Sequence, residues 1–206
     1  RYDKAEIARF PGMLGHLVEA LEFETSDVLG SMYMSLDLGD AWRGQFFTPW
    51  NICSFMARLT IGTVTAREVE ERGGFLTLQE PAAGAGGMIL AAAEALREQG
   101  INPQTALCVE ARDIAAPCVW MSYIQLSLSG IPACVVHGNT LSGEVHSRWY
   151  TPAYVLGFWH NKLRRRAEQL KDLQPLAPIA MPIQPSAVGP ARVGAPTAAR
   201  PQMTLF

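Results

Sequence analysis

With 206 residues, 49% of them hydrophobic and 17% charged, the chain has enough apolar surface for one core of ordinary size, which excludes an intrinsically disordered protein. A formal net charge of −2 excludes a global positive field, so any contact with nucleic acid has to come from a local patch or from a partner subunit. The apolar runs are too short for a membrane span, and Cys53, Cys108, Cys118 and Cys134 show no Cys-x-x-Cys pairing, so the expectation is a cytoplasmic protein with buried free thiols.

From Asp3 to Leu38 apolar residues recur at helical spacing (Ile7, Phe10, Leu14, Leu17, Leu21, then Val28, Leu29, Met32), which predicts amphipathic helices broken near Pro11-Gly12. A helix over Asn51–Leu59 follows Pro49. Then come a strand at Phe75–Leu78, an alanine-rich helix at Met88–Gln99 stopped by Gly100, and a second strand at Ala106–Val109. A helix over Ala115–Leu128 ends near Gly130 and leads to a third strand at Ala133–Val136. Strands alternating with helices predict an α/β fold with a parallel sheet. Beyond Pro175 the composition turns to proline, alanine and glycine, which predicts a flexible tail.

The segment Glu80-Pro81-Ala82-Ala83-Gly84-Ala85-Gly86-Gly87 joins the first strand to the helix after it. Glycines there let backbone approach a ligand closely, and the helix N-terminus offers free amides. Glu110 closes the predicted second strand, where a carboxylate can accept hydrogen bonds from both hydroxyls of a ribose. The third strand runs into His137-Gly138-Asn139-Thr140-Leu141, which sets the amide of Asn139 at the same rim, able to accept from an adenine amine and to donate.

Two separate segments carry a family resemblance. Gly44-Gln45-Phe46-Phe47-Thr48-Pro49 resembles the GQFFTP signature of gamma-type amino-methyltransferases, and Glu80–Gly87 resembles their DPACGSGG motif, with glutamate for aspartate and alanines at positions 83 and 85. Asp27-Val28-Leu29-Gly30 and Tyr33 also resemble the modification subunits of type I restriction systems, so the resemblance runs from about Asp27 to Leu141. It implies a Rossmann-like fold that binds S-adenosyl-L-methionine and belongs with the DNA adenine-N6 methyltransferases. Phe46, Phe47, Thr48 and Pro49 would line the methionine end, flanked by Glu80, Ala82, Gly84 and Gly86. Glu110 would take the ribose, and Asn139 would stand where the family has aspartate beside the adenine. Taken without the family, Phe46 and Phe47 fit core packing equally well.

The same resemblance fails at the catalytic tetrapeptide, Asn/Asp-Pro-Pro-Tyr/Phe, whose amide or carboxylate holds the target amine while its ring stacks on the flipped base. The chain has no Pro-Pro; the nearest match is Thr151-Pro152-Ala153-Tyr154, where a hydroxyl replaces that acceptor. Gly143–Arg148 is polar, so the apolar strand leading into the tetrapeptide is read as missing. The expectation is a truncated, degenerate relative that binds cofactor and is weak or inactive alone. The alternatives are an active DNA adenine methyltransferase working with partner subunits, or a methyltransferase for a non-DNA substrate. Trp149, Tyr150, Tyr154, Phe158 and Trp159 with Lys162, Arg164, Arg165 and Arg166 read as packing aromatics beside a solvated basic end, with a nucleic-acid surface the lesser alternative. His160 has no second ligand at helical spacing, and no metal site is expected.

These readings divide the chain into a helical N-terminal extension (1–43), a methyltransferase-like domain (44–170), a Pro/Ala-rich linker (171–201) and a terminal pentapeptide (202–206). Gln202-Met203-Thr204-Leu205-Phe206 resembles the QLSLF-type sequence by which bacterial proteins dock on the replication sliding clamp. Gln202 would sit at a pocket rim while Met203, Leu205 and Phe206 enter apolar subsites.

Overall fold

The computed structural model describes residues 2–38 and 47–172. Gly44, Gln45 and Phe46 of the first motif, the predicted domain boundary at 43, residues 173–201 of the predicted linker and the terminal pentapeptide lie outside the described residues, while residues 171 and 172 of that linker belong to a helix.

Three helices open the chain: α1 (Lys4–Ile7), α2 (Phe10–Phe23) and α3 (Val28–Ser35). Asp3 and Glu6 form a reciprocal capping box at α1, while the Asp27 carboxylate caps α3. Neither α1 nor α2 contains a buried residue. α4 (Trp50–Ile61) begins after Pro49, and α5 (Ala66–Glu71) opens on a second capping box, Thr65 with Glu68.

β1 (Leu76–Glu80), β2 (Leu107–Asp113) and β3 (Ala133–Gly138) pair in parallel, and β4 (Val145–Tyr150) adds antiparallel to β3, giving the order β1-β2-β3-β4. The crossovers hold α6 (Gly87–Glu98), the short α7 (Pro103–Ala106) and α8 (Ala116–Leu128). Gly100 and Gly130, both at positive φ, end α6 and α8, and the next N–H bonds back five residues, Ile101 to Leu96 and Ile131 to Leu126. After β4 the chain forms α9 (Pro152–Leu156) and α10 (Trp159–Asp172).

Side chains alternate across each strand, so the sheet has two faces. Leu107, Val109, Ala111, Ala133 and Val135 meet Ile89, Leu90, Leu96, Val119 and Leu126 of α6 and α8 on one face, which forms the main core. Cys53 and Ala57 of α4 meet Ala91 and Ala92 of α6, and side chains this small let the two helices approach closely. On the other face Phe75, Cys108, Tyr154 and the fully buried Trp159 form a smaller cluster over the start of the strands. All four cysteines are free and buried, and burial pushes the thiols up, Cys108 and Cys118 to about 12.

Two expectations need correction. The polar stretch Gly143–Arg148 does enter a strand, because β4 is an antiparallel edge whose residues face solvent and need not be apolar. β2 runs on to Asp113, so Glu110 lies within the strand and does not close it.

Candidate functional site

The glycine turn stands where β1 ends. Gly84 and Gly86 have φ of 54° and 98°, which only glycine adopts without strain, and Gly86 serves as the N-cap of α6. The turn is tied to the end of β2 twice: the Ala83 N–H donates to the Arg112 carbonyl at 2.8 Å, and the Gly84 N–H to Asp113 Oδ2 at 2.9 Å. The Thr140 hydroxyl, from the loop after β3, donates to the Pro81 carbonyl at 2.6 Å and braces the turn from the other side.

A cleft runs along this turn, lined by Ala82, Ala83, Gly84 and Gly87 with Asp27, Phe47, Thr48 and Met88. Phe47 lies over Gly84, where a Cβ would come within 3.2 Å of its ring, and Tyr33 packs against Phe47 at 5.6 Å between centroids. Pro49 starts α4, its carbonyl accepting from Ile52 and Cys53. Asp27 is 5% exposed. It accepts from the Gly30 N–H at 2.8 Å and from Gln125 Nε2 at 2.8 Å.

Glu80 and Asp113 fall on the helix-bearing face of the sheet, by alternation from Leu78 and Ala111. Burial, with the nearby Asp113 charge adding to it, holds the Glu80 carboxyl above the usual carboxylate range, although the Ala82 N–H opposes this. Asp113 ends β2 beside the turn and also accepts from the Ala115 N–H at 2.9 Å. Two of the lone pairs on its two oxygens are used, and others stay available.

Glu110 does not line this cleft but a neighbouring cavity, with Glu80, Pro81, Arg112 and Thr140. Its register partner is Gln79, so it points to the opposite face, where it pairs with Arg112 at 3.1 Å and Arg148 at 3.6 Å. The acid of β2 that is hydrogen-bonded to the turn is Asp113, which the sequence reading passed over. The available signal was Pro117 in the first turn of α8, which marks where that helix starts and so places the strand end at Asp113. Asn139 stands at the rim after β3, but its Oδ1 accepts from Leu141 at 2.9 Å and Ser142 at 3.3 Å, which shapes its own loop.

Thr151, Pro152 and Tyr154 do not join this site. Thr151 bonds through its N–H to the Ala133 carbonyl, at the start of β3. The glycine turn lies at the other end of the sheet, about 17 Å along a strand of this length. The Thr151 hydroxyl donates to the Ile131 carbonyl at 2.8 Å and accepts from the Ala133 N–H at 2.9 Å, and it caps α9. Tyr154 is buried under α10, and burial pushes its phenol up to about 12. The catalytic assignment of this segment is corrected to a structural one. The basic run is partly structural too: Arg166 donates to the Phe75 carbonyl at 3.1 Å, and the Lys162 ammonium lies 4.2 Å from the Trp159 ring centroid.

Among the described residues no three His, Cys, Asp or Glu side chains stand close enough to hold a metal, and no helix is long and apolar enough to cross a membrane. Among curated proteins none matches the chain. The family model described as N-6 DNA Methylase matches residues 25–162, from the loop before α3 to the first residues of α10. That span exceeds half the chain and contains the Asp27 helix, the glycine turn and Asp113, so this protein belongs to the N-6 DNA methylase family.

Proposed function

We propose that the chain binds S-adenosyl-L-methionine at the cleft along the glycine turn and that, by itself, it transfers methyl groups to DNA adenine weakly or not at all. The observation that carries the binding is the convergence of Phe47, the turn, Glu80 and Asp113 at one end of the parallel strands. Asp27, Glu80 and Asp113 give that end a negative character suited to the ammonium and sulfonium of the cofactor. Asp113 takes the ribose role first given to Glu110, and Phe47, Thr48, Ala82, Gly84 and Gly86 keep theirs. Weak transfer follows from chemistry: Thr151 has no free acceptor and stands at the far end of the sheet, and loss of a positioned acceptor costs on the order of 10²–10³ in rate.

One observation favours a second reading, an active enzyme assembled with partner chains. Among the described residues β1 ends the sheet, so a partner has an edge beside Glu80 on which to add strands and a target-amine acceptor. DNA would then be held jointly with the partner. Docking of Gln202, Met203, Leu205 and Phe206 on a bacterial sliding clamp is a separate part of this proposal, tested by anisotropy of a labelled peptide against its Leu205→Ala, Phe206→Ala control.

Calorimetry with S-adenosylhomocysteine decides the binding. Charge-assisted hydrogen bonds contribute about 1.5–3 kcal/mol each, so Asp113→Ala is expected to weaken binding at least about tenfold, and Glu110→Ala by less than about threefold. No binding by wild-type protein at millimolar ligand would sink the reading. Radiolabel transfer to duplex DNA, with and without candidate partner subunits, separates the weak from the assembled enzyme.

A further inference from the structure

We propose that Gln125 is the positioning residue of the cleft: its one buried amide locks the shape of the glycine turn to the seat of the Asp27 carboxylate. The proposal rests on the cofactor-binding reading and concerns a residue that does not itself line the cleft.

Gln125 is on α8, fully buried, and touches two segments far from it and from each other in sequence. Its Oε1 accepts from the Leu29 N–H of α3 at 3.0 Å. Its Nε2 donates to Asp27 Oδ1 at 2.8 Å and to the Ala85 carbonyl at 2.8 Å. The orientation of the amide is dictated by its partners, because an N–H must meet the oxygen and two acceptors must meet the NH2. No other residue does this. Ionised glutamate has no donor, asparagine is one methylene short, and leucine or methionine leaves a buried carboxylate and carbonyl without a partner.

The carboxylate has no room to drift if the amide lets go. A Cβ at Gly30 would run into Asp27, and one at Gly87 would come within 3.0 Å of Asp27 Oδ2, so the two glycines form a close-fitting niche. Gly87 opens α6, which places the carboxylate at the positive end of that helix. Asp27 and Ala85 both line the cleft, so one side chain holds two of its wall positions. The remaining acids around the turn are Glu80 and Asp113. The Cys53 thiol, pushed up to about 11 by burial and by the Asp27 charge, is neutral.

The test is Gln125→Glu, which keeps the shape and turns a donor into an acceptor. At pH 8 two carboxylates and a carbonyl then face one another, whereas near pH 5 a shared proton restores one bond. S-adenosylhomocysteine affinity relative to wild type is expected to fall about tenfold or more at pH 8 and to lie within about threefold at pH 5. The double variant Asp27→Asn, Gln125→Glu reverses one bond, amide to carboxylate, without restoring the one to the Ala85 carbonyl, and is expected to recover part of the loss at pH 8. A scaffold role alone would lower the melting temperature with no pH-dependent ratio and no recovery, and that result overturns the proposal. If Gln125→Glu does not fold at pH 8, recovery of folding and binding in the double variant supports the proposal, and no recovery overturns it. If wild-type protein binds no S-adenosylhomocysteine, the cofactor reading fails by itself. Amide exchange at Ala83–Gly87 and Leu29–Gly30 then decides positioning: faster in Gln125→Glu at pH 8 and restored in the double variant, or unchanged and the idea is gone.

Discussion

At the scale of single residues, two side chains show function and stability pulling in different directions. Glu80 is held above the usual carboxylate range by burial, so the folded chain binds that proton more tightly than the unfolded one. Between the unfolded pKa and the higher folded one, the native state carries more proton, and stability falls as pH rises through that window. Glu80→Gln is therefore expected to raise the melting temperature at pH 7, with the gain vanishing below about pH 4, while weakening S-adenosylhomocysteine binding. Thermal denaturation at both pH values checks it; no gain at pH 7 would contradict the sign. Thr151 is the opposite case. Thr151→Val removes a cap and leaves the Ala133 N–H and Ile131 carbonyl unpaired, so chemical denaturation should show a loss of about 2–4 kcal/mol. Ligand affinity of the folded variant should stay at the wild-type value, since the hydroxyl faces only backbone. A Thr151→Val protein that is stable but binds poorly would return the residue to the site.

At the scale of elements, the three parallel strands and helices α4, α6 and α8 were legible, because glycines and prolines mark their ends and burial on one or both faces marks their periods, whereas α5, α7, α9 and α10 were not read. What escaped were features set by partners rather than by local pattern. β4 is a strand because β3 offers it an edge; its own residues, Val145-His146-Ser147-Arg148-Trp149-Tyr150, are exposed along most of its length and carry no apolar alternation. The predicted β2 ended at Val109, four residues early, which drew attention to Glu110 and away from Asp113, two residues that differ in face as well as height. Asp27 was noticed only through its family resemblance. Its partner Gln125 gave no signal, since a polar residue within an apolar helical run shows its use only once a distant carboxylate is placed beside it. α10 carries an energetic consequence of its own: Trp159 is its first residue, fully buried against Phe75 at 5.2 Å between centroids. Trp159→Ala is expected to cost about 3–5 kcal/mol in urea unfolding, and a loss under about 1 kcal/mol would show that the second face does not need this cover.

Over the whole molecule, stability is distributed unevenly. α2 has no buried residue, whereas α3 is tied to α8 and the glycine turn by buried hydrogen bonds. Amide exchange should accordingly show low protection through Phe10–Phe23 and a steep rise by Gly30–Ser31, with α6 and α8 slowest of all. Protection of α2 equal to that of α6 would mean that the exposed helix is covered in solution.

The bond between Leu29 and Gln125 spans 96 positions of chain. Translation at about 5–20 residues per second separates the appearance of its two ends by roughly 5–20 s. For that interval the newborn α3 has neither its amide partner nor the turn it seats against, while the sheet-forming segments behind it are still being made. Until Gln125 emerges, the Leu29 amide and the Asp27 carboxylate stay solvated, so this corner of the fold closes only after α8 has been made.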